Sequence, residues 1–406
     1  MFNRKRDIQG EIDWLQKNVS CIKPGDSNDD SDLSFLKPLL QDKRIVLLGE
    51  NGHGVKEHTE IKSRLIKYLY QELDFRVLVF ESSLGACSFS SKQRVNSSKE
   101  QLVKQSLFKV WHTKEMVELF TWIKATESSE SSMIISGFDI QPSPIENITS
   151  EVLMNLFFSI GEVYGNQIQK LEQDILHQYV HSRNSTMSKK ERKMKQKELR
   201  ESYQSLLLLL KQNYTYLQEK FDQETLKIAE RVLRNRVQLV DMIAASFMKA
   251  IKLRNKMMAD NIVWLVQEMF AGEKIIIWSH NNHISKKMKG MIGFKSTFSY
   301  VPTEVKQNSY SIGFFMYSGN AADNSRKIYE VKEPEQDSIE YRMQKLGHDV
   351  GFLDISKQSK IPENQWLFKY SYTMDEGRDL TLIRPHACFD GLINCSKVNA
   401  PTYLEL

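Results

Sequence analysis

The stretch RIVLLGENGHGVKEH (44–58) runs from an apolar strand into a cluster holding two acids and two histidines. A carboxylate such as Glu50 beside a histidine such as His53 fixes the imidazole tautomer and raises its basicity, which suits general-base activation of water. Two further histidines, His280 and His283, stand in WSHNNH (278–283), and apolar runs stop at Glu81 in FRVLVFE (75–81) and at Asp139 in SMIISGFD (132–139). The set also has the donor types that hold Zn, Mn or Fe, with His53, Glu81 and His280 as the alternative metal ligands.

Short motifs narrow this chemistry. GENGHGVK places Gly49 and Gly54 at the interval of a phosphate-binding loop, but Val55 stands where Lys is required and no Ser or Thr follows. His53 and His58 are five apart, about 140° around a helix, whereas zinc-protease motifs need histidines four apart. No GxSxG occurs, and SLFK (106–109) lacks the SDN and KTG partners of an SxxK enzyme. What is left is water activated by His and carboxylate, with no obvious covalent nucleophile.

The elements that must carry these residues follow from periodicity. A short amphipathic helix is expected over 6–20, a polar loop over 25–32, and a second short helix near 35–40. The apolar run 44–48 predicts a buried strand. Ile61, Leu65, Ile66, Leu69 and Leu73 then recur at helical spacing, and 75–81 predicts another strand. This βαβ unit implies a parallel sheet covered by helices. A Ser-rich loop is expected at ESSLGACSFSS (81–91), then helix over 103–125 and strand over 132–139. Strands return at 274–280, 309–316, 349–355 and 389–393. In between, Gly and Pro nearly vanish, predicting long helices.

The fold class is thus α/β, with a parallel-rich central sheet flanked by helices and interrupted by an all-helical insertion. The expected divisions are an N-terminal helical segment (1–43), the first part of the core (44–145), the insertion or lid (146–270) and the second part of the core (271–406). In open parallel sheets ligands bind beyond the carboxyl ends of the strands. If the strands are neighbours, Glu50, His53, Glu81, Asp139, His280 and His283 face one crevice.

Composition excludes several classes. A hydrophobic share of 41% with 26% charged residues is that of an ordinary globular protein. The net charge of +5 is spread along the chain, and KKERKMKQKELR (189–200) has no interleaved aromatics to stack on bases, so it reads as a solvated helix face and no nucleic-acid partner is expected. No run reaches the roughly 18 apolar residues of a membrane span, and the N-terminus lacks an apolar signal region, so the expectation is a cytoplasmic protein with no membrane partner. The four cysteines show no CxxC pair and are expected as reduced thiols in or near the core.

Together these motifs resemble the erythromycin esterase family, part of which is labelled succinoglycan-biosynthesis related. GENGHG resembles its GExxHG element, FRVLVFE its strand ending in Glu, and WSHNNH its W-x-H-x-x-H element. Trp111, Glu115, Trp122, GFDIQ, RNKMMADN and FDGLI add matches in the correct order over roughly 44–401. The resemblance implies an α/β core with a helical insertion and opening of an ester or lactone by water, with no covalent intermediate and no cofactor. It implies that His53 is the general base, that Glu50 and Glu81 orient it or the water, and that His280 and His283 polarise the carbonyl or oxyanion. Two departures stand out. Lys62 occupies the place of an Arg in macrolide-hydrolysing members, where an ammonium does not reproduce the guanidinium fork, and Asn255 replaces an Asp.

Lys62, Arg64 and Asp139 are the candidate substrate contacts, a solvated helix face being the plain alternative for the first two. Glu57 and His58 read as first-turn helix residues, His112 as a helix-surface group and Trp278 as core packing. Gly49 and Gly54 are expected to allow a tight turn and close approach of a substrate. The expected partner is a small hydrophobic ester or lactone. A metal-dependent hydrolase and an inactive binding or biosynthetic accessory protein are the other classes, and oligomeric state is not legible.

Overall fold

A computed structural model of the chain describes residues 8–25, 29–128, 132–143, 147–181, 188–287 and 295–405. Eleven strands are present among them: β1 (Val19–Cys21), β2 (Ile45–Leu48), β3 (Phe75–Ser83), β4 (Ile134–Asp139), β5 (Lys274–Trp278), β6 (Ser309–Ala322), β7 (Ile328–Glu330), β8 (Val350–Asp354), β9 (Ser371–Asp375), β10 (Asp379–Ile383) and β11 (Gly391–Val398). They form a mixed, mostly parallel sheet flanked by helices, with β9 and β10 as a separate hairpin.

The chain divides into two compact units, the first made of Met1–Leu78, Lys109–Met133 and Glu273–Leu406. Its strands run in the order β1-β8-β11-β6-β2-β5, followed by β3, whose first residues belong here. β2 is parallel to both β5 and β6, and β6 is parallel to β11. Every residue of IVLL in β2 is buried, as expected of a strand with parallel neighbours and covered faces. β8 joins antiparallel to β11, and β1 pairs with β8.

The helix Lys56–Leu73 buries Ile61, Leu65, Ile66, Leu69 and Leu73, the face its spacing predicts, and ends at Asp74, which adopts a left-handed φ of 64°. The first helix is Ile8–Asn18, and Val19–Cys21 leave it for β1; the start of the expected helix, 6–7, lies outside the described residues, as do residues 26–28 of the polar loop. The expected second helix is a 3-10 turn, Ser31–Leu36, followed by a single α turn, Lys37–Leu40. Cys87, Cys388 and Cys395 are buried free thiols, whereas Cys21 is exposed on the edge strand.

The second unit comprises Val79–Phe108 and Ile134–Gly272. Here β3 ends and β4 lies beside it. The helices Ile148–Ile160, Glu162–His181, Lys189–Gln212, Gln223–Ile243 and Phe247–Trp264 follow. Three of them are tied by a buried cluster in which Arg236 donates to Glu172 at 2.9 and 3.0 Å and the Tyr203 hydroxyl donates to the same carboxylate at 2.9 Å. The Ser-rich segment expected as a loop is instead the helix Leu84–Gln93, capped by Ser83, with Leu84 to Ser91 all buried. Small side chains serve close packing there, and Ser88 meets Ser136 at 2.9 Å.

One anchor in the first unit carries a charge question. Glu340, wholly buried, accepts from the Thr373 hydroxyl at 2.5 Å and from the Met374 backbone N–H at 3.0 Å, pinning the hairpin. Burial pushes its carboxyl up to about 7 despite those bonds. A raised acid contributes stability that is complete below the unfolded value near 4.5 and is lost as pH rises through about 7. Glu340→Gln should therefore gain on the wild type by about 3 kcal/mol between those limits, read by urea unfolding across pH; a gap independent of pH would contradict the buried neutral acid.

Candidate active site

In the first unit, β2 delivers Glu50 at its carboxyl end, and the turn Gly49–Gly54 is shaped by protein rather than by a ligand. A Cβ on Gly49 would lie 2.0 Å from Asn281 Oδ1, and one on Gly54 would lie 2.2 Å from the Ala322 carbonyl oxygen. The close approach expected of a substrate is thus made by the neighbouring strand β6 and the turn after β5.

Glu50 is 1% exposed and uses both oxygens. Oε1 meets His53 Nδ1 at 2.6 Å, while Oε2 accepts from Lys62 Nζ at 2.5 Å and from Trp278 Nε1 at 3.0 Å. Burial alone would push this carboxyl up, but the Lys62 ammonium and His53 hold it down at about 2. A depressed acid stabilises the fold above the unfolded value near 4.5, and that contribution is lost as pH falls through about 2. Glu50 is therefore an anion throughout the neutral range.

The expectation that Lys62 contacts substrate is corrected. Its side chain is fully buried, bonded to Glu50 and lying 4.3 Å from the Trp278 ring centroid. Lysine fits because it acts here as a point charge over an aromatic face. Trp278 is core packing, as expected, and also donates to the carboxylate. His58, one turn before Lys62, is a first-turn helix residue, as expected, and a buried one: it is 1% exposed, and burial followed by the Lys62 charge pushes it down to about 4. Glu57 is a first-turn residue whose carboxylate accepts from the Asn399 backbone N–H at 2.7 Å. Arg64 is also removed from the substrate set. It is 1% exposed and donates to Asp32 at 2.7 Å and to the Lys23 carbonyl at 2.7 Å, because its rotation along the helix takes it to the polar loop.

His53 packs edge-on against Trp111 with centroids 4.9 Å apart and stands 5.2 Å from the His280 ring. His280 caps the short helix Asn281–Ile284, its Nδ1 accepting from the Asn282 backbone N–H at 3.1 Å. The hydrogen then resides on Nε2, which lies 4.0 Å from Asp375 Oδ1. His283 meets Thr297 Oγ1 at 2.9 Å. His112, expected on a helix surface, is 3% exposed and sits in the turn before the helix Lys114–Ala125.

The second unit holds the remaining acids. Arg254 joins Asp139, through Nε–Oδ2 at 3.1 Å and a shorter Nη2 contact, to Glu81 at 3.3 Å. Burial lowers the proton affinity of Arg254, but Asp139 and then Glu81 raise it above the usual value. The Asp139 side chain has no exposed surface, so it serves Arg254 rather than the open substrate contact expected of it. Among the described residues no group of three or more His, Cys, Asp or Glu side chains is arranged to hold a metal. In the alternative ligand set, Glu81 faces Arg254 while His53 and His280 each commit Nδ1 to a hydrogen bond.

Asp375 and Arg254 are the charged residues that sequence reasoning missed. Arg254 lies inside RNKMMADN, where a helical cation ahead of two buried methionines was a usable signal. Asp375 lies in SYTMDEGRDLTLI, two alternating runs around a Glu-Gly turn, a hairpin pattern that was legible.

The buried pair makes a quantitative expectation. Lys62→Met leaves Glu50 uncompensated and should cost about 3–5 kcal/mol. Adding Glu50→Gln should recover part of that loss, with a coupling of about 0.5–3 kcal/mol in a double-mutant cycle by urea unfolding; strictly additive losses would refute the pairing.

Residues 70–398 match the family model for erythromycin esterase, a range that includes Glu81, Asp139, His280 and His283 and begins after Glu50, His53 and Lys62. YbfO of Bacillus subtilis strain 168, a hydrolase by name, is 26% identical over 384 residues, covering 87% of this chain and 83% of that protein. A Bacillus cereus protein of known structure aligns at a TM-score of 0.81 with 22% identity, covering 98% of this chain and 100% of its own. A histidine-to-asparagine mutant of the erythromycin esterase EreC, in its open conformation, aligns at 0.68 with 16% identity over 93% of this chain and 96% of its own. These structures share the mostly parallel sheet with flanking helices. With the family match spanning most of its length, the chain belongs to the erythromycin esterase family, a family of hydrolases.

Proposed function

We propose that the protein hydrolyses an ester or lactone of a hydrophobic small molecule with water activated by His53. The observation that carries this is the division of labour at Glu50: one oxygen orients His53 Nδ1 at 2.6 Å while the other is neutralised by Lys62 and Trp278. With Nδ1–H donated to Glu50, Nε2 of His53 is the basic nitrogen. It takes a proton from water as the water oxygen bonds to the carbonyl carbon. The developing oxyanion takes the Nε2–H of His280, whose ring stands 5.2 Å from His53. His283, on the same turn, is the second candidate donor. When the intermediate collapses, the C–O bond breaks and the leaving alkoxide takes the proton held by His53. Water in and acid plus alcohol out balance, and no covalent enzyme intermediate is required.

A screen of macrolides and simple carboxylic esters by mass spectrometry, scored for a gain of one water, identifies a substrate. On that substrate His53→Asn should lower kcat by about 10²–10⁴-fold with an unchanged circular dichroism spectrum; turnover that survives the substitution would remove His53 from the mechanism. Dialysis against chelator should leave the wild-type rate unaltered, since every step runs through protein side chains, and a loss restored by Zn or Mn would favour a metal enzyme.

A further inference from the structure

Beside His280 lies a small cavity within the first unit, walled by Asn51, Asn282, Asp375 and Thr381 and floored by Phe315 and Ile383. Its volume is about 30 Å³, against the roughly 10–15 Å³ that one water needs. Asp375 belongs both to this wall and to the catalytic neighbourhood, because its Oδ1 is 4.0 Å from His280 Nε2. Asn51 directly follows Glu50 in the chain, so the cavity and the reacting centre share their supporting backbone.

The wall offers acceptors. Asn51 is 2% exposed and spends its Nδ2 on the Met374 carbonyl at 3.1 Å, while its buried Oδ1 has no hydrogen-bond partner among the described residues. Such an acceptor is costly unless something donates to it. Asp375 takes one bond from Asn282 Nδ2, at 3.3 Å on Oδ2, and a carboxylate has capacity for several more. Among the described residues no Lys or Arg lines the cavity. The hairpin that carries Asp375 is fixed by Glu340 and Asn51, and its turn is held by the Tyr329 hydroxyl donating to the Glu376 carbonyl at 2.7 Å.

We propose that this cavity is a specificity subsite that receives a hydroxyl-bearing carbon of the substrate next to the scissile ester, with Asn51 Oδ1 and Asp375 as its acceptors. A hydroxyl on a short alkyl carbon matches the volume, the apolar floor and the acceptor-rich wall together. It also brings no charge to be stripped of water, which an ammonium would. The subsite rests on the hydrolase reading for its meaning, since the ester it adjoins is the one His53 attacks. Its ligand chemistry is read separately, by binding.

The test compares isopropanol with its isostere acetone, which has the same carbon shape and no donor, on the full chain with carbon-labelled Met and Ile methyl groups. Isopropanol should shift the Met374 and Ile383 methyl resonances saturably and bind about tenfold more tightly than acetone. Asp375→Leu should erase that preference, as should Asn51→Leu if that variant keeps the wild-type methyl spectrum. Equal response to both probes, response to neither, or a preference that persists in Asp375→Leu overturns the subsite. Tighter binding of isopropylammonium than of isopropanol overturns the hydroxyl assignment. Because no turnover is involved, none of these outcomes depends on His53, and an inactive His53→Asn with a failed probe comparison would retire the subsite while keeping the hydrolase.

Discussion

The Glu50–Lys62 pair is the constraint on which the site depends. Burial alone pushes a carboxylate with 1% exposure toward its neutral form. It is an anion because an ammonium lies 2.5 Å away, buried to the same degree. A neutral Glu50 would have one lone-pair face fewer and would no longer draw the proton of His53 toward itself. The geometry proposed for catalysis is thus set by an electrostatic balance one layer deeper, in buried side chains. Trp278 takes part twice, by donating to the carboxylate and by presenting its ring to the ammonium.

The same logic separates the histidines. His53 and His280 each have Nδ1 committed, one as donor to Glu50 and one as acceptor from the Asn282 backbone, so their Nε2 atoms have opposite character. Two rings 5.2 Å apart, one basic and one bearing hydrogen, form a complementary pair from identical side chains. His58, equally near in sequence, is excluded by burial beside Lys62, which holds it neutral.

Much of this was legible in the sequence, for reasons that differ by element. IVLL, FRVLVFE and KIIIW announce themselves because buried parallel strands need unbroken apolar runs, and the helix Lys56–Leu73 because one face is apolar at helical spacing. Glu50 beside His53 was readable because the partners are close in the chain. Asp375 was not, because its relation to His280 is created only by the fold. Burial was the least legible property: Lys62, Arg64 and His112 read as possible helix-surface residues, since polar side chains carry no mark of the partner that will bury them. ESSLGACSFSS misled for a related reason, serine being small enough to pack as well as polar enough for a loop.

The pairing of β2 also bears on how the molecule comes into being. Its neighbours are Lys274–Trp278 and Ser309–Ala322, each more than two hundred residues further along the chain. Contacts of such long sequence separation close late. During synthesis Glu50, His53 and Lys62 leave the ribosome long before Trp278 and His280 exist, so the nascent chain carries an acid and a base without the walls that bury them. The proposed site is then completed only as the later parallel strands dock, and an incomplete chain stopped before β5 would lack both Trp278 and His280.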